Sequence, residues 1–241
     1  MTTDWWAQAV RHQLGLGRLL PLGGPRDGAW IAEAAAGAVL GRAAAHEVPE
    51  VRLGTLRITL ADPQDVPEPV VPAPPSALPP GALRVTADFA ATAAGPLPAT
   101  ASRLRRVLAA AAVERLGLAV AEVDLRVTDL LDTADGQAAG VPAPQPPPAR
   151  ETADPDESRV SAAVLTVRGV TRLTGSLGGL GHAVHIEAHP DDTALPHRHV
   201  RVEVAVDADH RTVEVARQVR AAARDALEDH PAVTVLVTAV G

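Results

Sequence analysis

The stretch RHVRVEVAVDADHRTVEVARQVRAAARDALEDHPAVTVLVTAVG, residues 198–241, reads strand, turn, helix, strand. Val200, Val202, Val204 and Val206 alternate with Arg201, Glu203, Ala205 and Asp207, the period of a half-buried strand. Residues 208–211 turn the chain, and Thr212 stands where a helix cap is wanted. Val215, Ala216, Val219, Ala222, Ala223, Ala226 and Leu227 then fall on one helical face. Pro231 blocks further helix, and Val233, Val235 and Val237 alternate with Thr234, Leu236 and Thr238 in a second strand.

The same unit occurs earlier in the chain. Leu104, Leu108, Ala111, Ala112 and Leu116 overlie Val215, Val219, Ala222, Ala223 and Leu227 at one constant offset. Leu83, Val85, Ala87 and Phe89 correspond to Val200, Val202, Val204 and Val206, and Val123, Leu125, Val127 and Thr128 to Val233, Val235, Val237 and Thr238. Upstream of the first copy, an Ala-rich helix is expected over 27–46, carrying Trp30, Ile31, Val39 and Leu40, and a strand over 51–60. Upstream of the second, a helix is expected over 159–174 with Val160, Val164 and Val167 facing in, then a glycine-rich turn over 175–181 and a strand over 183–189.

These elements predict an α+β fold of two tandem α-β-β-α-β domains, 27–132 and 158–241. Each would be a three-stranded mixed sheet with two helices on one face. The first two strands of each unit should pair antiparallel, the last should follow a right-handed crossover, and the first strand is expected in the centre. Residues 1–26 read as a short helix with Trp5 and Trp6 plus a connector. The segment 61–82 holds eight prolines and reads as an extended, tolerated hairpin loop. The Pro-rich segment 133–157 reads as an interdomain linker.

Composition narrows the function classes. Hydrophobic residues make up 46% of the chain but aromatics only 2%, so the core must be built from small aliphatic side chains on closely packed elements. All 22 cationic residues are Arg, and Lys, Asn and Tyr are absent, the signature of a high-GC genome, actinobacterial in type. A net charge of −7 argues against a nucleic-acid or anionic-membrane footprint. With no cysteine there is neither a disulfide nor a thiolate ligand or nucleophile. No apolar run approaches the ~20 residues of a membrane span, and no signal peptide is expected, so the expected location is the cytoplasm.

The run Val213-Glu214-Val215-Ala216-Arg217-Gln218-Val219-Arg220, followed by a valine-rich strand, resembles the alkaline-shock-protein family of envelope stress proteins. The resemblance covers about the last 80 residues well and 27–131 more weakly. The whole chain also resembles streptomycete proteins whose names carry no functional information. The resemblance implies a non-enzymatic role at the cell envelope, self-association, and attachment at the membrane through a partner with transmembrane helices. It supplies no catalytic or cofactor-binding residues. The chain departs from the family pattern in carrying two copies and in the proline-rich interruption of the first hairpin.

One constellation could carry chemistry. Six of the nine histidines lie between His182 and His210. With residues 190–196 as a loop, His189 faces His197, Glu187 faces His199 and His185 faces Arg201. Alternation puts His185, His189, His197 and His199 on the face away from the valines, a solvated face on this reading. Those four imidazoles are the candidate ligands for a divalent transition metal, or the elements of a pH-responsive surface. The glycines of 175–181 do not make a phosphate loop, because they follow a helix and lead into a strand. Gly175-Ser176-Leu177-Gly178 has the spacing of a K-homology loop but lacks its position and basic neighbours. No Gly-x-Ser-x-Gly elbow occurs, and Asp191-Asp192 reads as loop solvation. The expectation is therefore a non-enzymatic interaction protein, with a metal- or pH-responsive module as the alternative.

Overall fold

In the computed structural model, residues 17–93, 95–132, 143–176, 181–189 and 197–241 are described, with backbone only for His189 and His197. Nine strands form two sheets among these residues: β1 Leu19–Pro21, β2 Ala29–Ala32, β3 Val51–Leu60, β4 Leu83–Thr92, β5 Val120–Leu131, β6 Val170–Leu173, β7 Val184–His189, β8 His197–Val206 and β9 Ala232–Val240. The helices are α1 Glu33–Glu47, α2 Leu97–Ala110, α3 Pro155–Leu165 and α4 Thr212–Asp225, with α2 running on into a π-helical turn, Ala111–Leu116. The tryptophan-bearing N-terminal segment lies outside the described residues.

The smaller sheet has the order β3-β4-β5, antiparallel then parallel. Leu83, Val85, Ala87 and Phe89 of β4 are buried beneath the helices, while Arg84, Thr86 and Asp88 face outward. Full burial of each large aliphatic or aromatic side chain contributes about 1.5–3 kcal/mol. The larger sheet has the order β1-β2-β9-β8, with β6 and β7 both pairing along the far edge of β8. The copies thus keep the expected pairing sense, but the second strand of each, β4 or β8, is central rather than the first. In each copy the β-α-β step joins adjacent parallel strands, and the hairpin partner takes the other side of β4 or β8.

The larger sheet is not three-stranded. Ala29–Ala32, read in the sequence as the start of a helix, is a strand parallel to β9, with Trp30 beside Leu236. Here tertiary pairing wins over the helical pattern, since β9 offers a free edge and Gly28 turns the chain at a φ of +57°. Helix α1 follows directly and packs against β3, β9 and α2. Alanines on nearly every side of it are buried, as expected of a helix enclosed all round. The buried hydrophobic side chains of both units form one continuous cluster.

The segment 159–174 also splits. Asp154 caps α3, its carboxylate accepting from the Asp156 and Glu157 amides at 2.8 and 3.0 Å, so the helix begins earlier than expected. It ends at Leu165. Gly169 at φ +90° then redirects the chain, and Val170–Leu173 pairs antiparallel with β8. Helix α2 starts at Leu97, directly after Pro96. Thr212 is the first residue of α4 and not its cap, and its buried hydroxyl has no partner among the described residues.

The proline-rich hairpin loop is a strap across the larger sheet. Trp30 Nε1 donates to Leu78 O at 3.1 Å, the Leu78 amide to Leu19 O at 2.8 Å, and Thr234 Oγ1 to Pro72 O at 3.3 Å. Val71 is buried against the sheet. Prolines are tolerated in the strap because few of its amides, Val70 and Leu78 among them, donate to the rest of the chain.

Candidate functional site

The β7–β8 hairpin has the register expected from the sequence: His189 opposite His197, Glu187 opposite His199 and His185 opposite Arg201. Valines 200, 202, 204 and 206 meet Val233, Val235 and Val237 beneath α4, and the histidines and acids share the opposite face. That face is not the solvated surface expected. Glu203, Thr234, Leu236 and Thr238 are completely or almost completely buried, and His199 is only 8% exposed. The strap and the chain leaving β6 reach over it.

The buried groups bond to one another. His199 Nε2 lies 2.9 Å from Thr234 Oγ1. The single hydroxyl hydrogen of Thr234 goes to Pro72 O, so His199 Nε2 carries the proton and donates. Thr238 Oγ1 likewise donates to Val204 O, and so receives the Thr174 hydroxyl at 2.8 Å. Glu203 Oε2 accepts from the Ser176 amide at 2.7 Å. A buried carboxylate with a backbone donor is an anchor for the chain leaving β6.

His185 points its Nε2 at His182 O, 3.1 Å away, and the two imidazole rings meet edge-on at 6.5 Å. Burial pushes the His185 pKa below the ordinary histidine value, and the Arg201 cation opposite adds to this, against a weaker opposing pull from Glu157. His185 is therefore neutral at neutral pH. Of the four candidate metal ligands, the structure brings His185 and His199 onto one face but commits one ring nitrogen of each to a protein oxygen. The side chains of His189 and His197 lie outside the described residues. Among the described residues, no group of three or more His, Asp or Glu side chains converges as a metal site.

Two features escaped the sequence reading. The first is the outer edge of β5, which pairs with no strand among the described residues. Arg126 forks Asp88 across the sheet at 2.8 and 2.9 Å, Arg84 binds Glu122 at 2.6 Å, and Asp124 stands beside Arg84. Arg126 raises its own pKa through this pairing and holds Asp88 low. Val127 is 42% exposed, and Leu130 is exposed as well. The alternation of Val123, Leu125 and Val127 marks the strand in the sequence, but not that it lies at an edge.

The second is a cleft of about 540 Å³ between α3, residues 148–152, the outer side of β6 and the start of β7. It depends on the expected linker, which instead lies against the sheet edge: the Ala149 amide donates to Leu173 O and the Arg150 amide to Gly181 O. Arg198, also not singled out, ties α3 to the turn before β9 through Asp156 and Asp229, and holds the Asp229 carboxyl below its usual range.

No helix among the described residues is long and apolar enough to cross a membrane. Compared with known protein families and with curated proteins, the chain matches none.

Proposed function

We propose that this chain is a non-enzymatic interaction protein of alkaline-shock type, a scaffold that works through protein contacts at the cytoplasmic side of the cell envelope. A partner with transmembrane helices would hold it there. The observation that carries the reading is the open edge of β5. An unpaired strand edge is a template for another strand, and natural proteins that do not use one usually blunt it.

The residues of β5 are self-complementary. Two copies laid antiparallel about a two-fold axis through Leu125 place Asp124 opposite Arg126 in both directions and Val123 opposite Val127. Arg126 Nη1 is uncommitted among the described residues and can reach the incoming carboxylate. The exposed Val127 side chain would be covered.

Sedimentation velocity over a dilution series tests this. Wild type should self-associate, and Asp124→Arg, which sets a guanidinium against Arg126 of the second copy, should sediment as a folded monomer. A wild type that stays monomeric throughout, or an Asp124→Arg variant that associates equally well, overturns the role of the edge. The envelope role is tested separately, by mild-detergent affinity purification from the native host. A membrane protein recovered in near-equal amount supports it, and recovery of the chain alone contradicts it.

A further inference from the structure

We propose that the cleft beside α3 is a binding site for a small aliphatic carboxylate. Its volume of about 540 Å³ falls in the range of small-molecule sites, roughly 300–1,000 Å³. One wall is apolar, made by Leu165, Leu173 and Val184. Leu165, at the end of α3, is 53% exposed. An alkyl chain lying against this wall would remove it from water.

The lining is also cationic. Arg150 and Arg172 both line the cleft, against the single carboxylate of Glu151. The Arg150 side chain has no hydrogen bond or ion pair among the described residues, and Arg172 is held only by Pro146 O at 3.2 Å. Each guanidinium keeps donors in a planar fork suited to a carboxylate. His182, also on the lining, has a buried Nδ1 without a partner among the described residues. An apolar wall and two under-used guanidiniums together define a ligand with one anionic head and an aliphatic body. A neutral hydrocarbon would leave the cations idle, and a larger polyanion would meet Glu151.

The test is calorimetric titration of the full chain with octanoate and with octan-1-ol, which share a chain and differ in the head. Octanoate should bind saturably at one site, and the alcohol at least about tenfold more weakly. Arg150→Gln, an exposed substitution that leaves the core alone, should weaken octanoate about tenfold and leave the alcohol unchanged. Ser161→Trp, which fills the cleft from α3, should abolish octanoate binding while circular dichroism stays that of the wild type. Absence of saturable octanoate binding overturns the proposal. So does equal affinity for the two probes, or octanoate affinity that survives both substitutions.

Discussion

Replacing Thr234 by Val changes almost nothing in shape and removes one hydroxyl at the centre of the His199–Thr234–Pro72 chain. In the native protein that hydroxyl receives the His199 Nε2 proton at 2.9 Å and passes its own to Pro72 O at 3.3 Å. His199 is 8% exposed and Thr234 fully buried, so water does not readily take the hydroxyl's place. A buried donor left unsatisfied costs about 1–3 kcal/mol. The Pro72 carbonyl lies in the strap and can recover a water, so its loss adds little. The expected destabilisation of Thr234→Val is therefore about 2 kcal/mol. For a chain of this size that corresponds to a fall in Tm of roughly 4–8 °C. Urea unfolding at neutral pH gives the free energy directly, and limited proteolysis reports whether cleavage within 61–82 becomes faster than in the wild type. A change under about 0.5 kcal/mol, the range of an ordinary surface substitution, with unaltered proteolysis of the strap, would refute the account of the buried face.

Three further outcomes are expected. His185 has a depressed folded-state pKa, so the unfolded chain binds more protons as pH falls below the ordinary histidine value of 6.5. Stability should thus be full above that pH and decline through the window beneath it, and His185→Gln should flatten this part of the pH–stability curve. Gly117→Ala should destabilise by about 3 kcal/mol, from a residue forced to φ +88° together with a Cβ that overlaps Val213, as measured by the urea midpoint. Calorimetry with Zn²⁺ should give weak heats that are the same for wild type and for His189→Ala/His197→Ala, because one nitrogen each of His185 and His199 is already engaged. Tight one-site binding lost in the double variant would restore the metal-site reading.

Much of the architecture was written in short-range patterns. Alternating valines located β8 and β9, the matched spacing of Leu104–Leu116 and Val215–Leu227 located the repeated helix, and placing the loop at 190–196 fixed the hairpin register. What the pattern could not show was long-range pairing. Ala29–Ala32 carries no alternation because both of its faces are buried, so nothing local separates it from the helix that follows. Val170–Leu173 has only four residues and runs on from a helical stripe. The polar residues of β8 read as solvated because polarity in a strand usually means water. Here polarity marks hydrogen bonding under a strap whose docking depends on Trp30 and Thr234, far from it in sequence. The candidate cleft was invisible for the same reason, since its wall comes from a proline-rich segment that local composition reads as a spacer.

The placement of β9 bears on how the protein is made. It is the last of the described strands to leave the ribosome, yet it lies inside the larger sheet between β2 and β8. Until it arrives, β2 has no neighbour on that side, and Trp30 and the strap have no sheet to close on. The amino-terminal half therefore emerges with an apolar strand waiting for a partner almost a full chain length away. Such contacts are slow to form and leave sticky surface exposed in the interval. Emergence of β9, rather than completion of the first repeat, is the event that lets this fold lock.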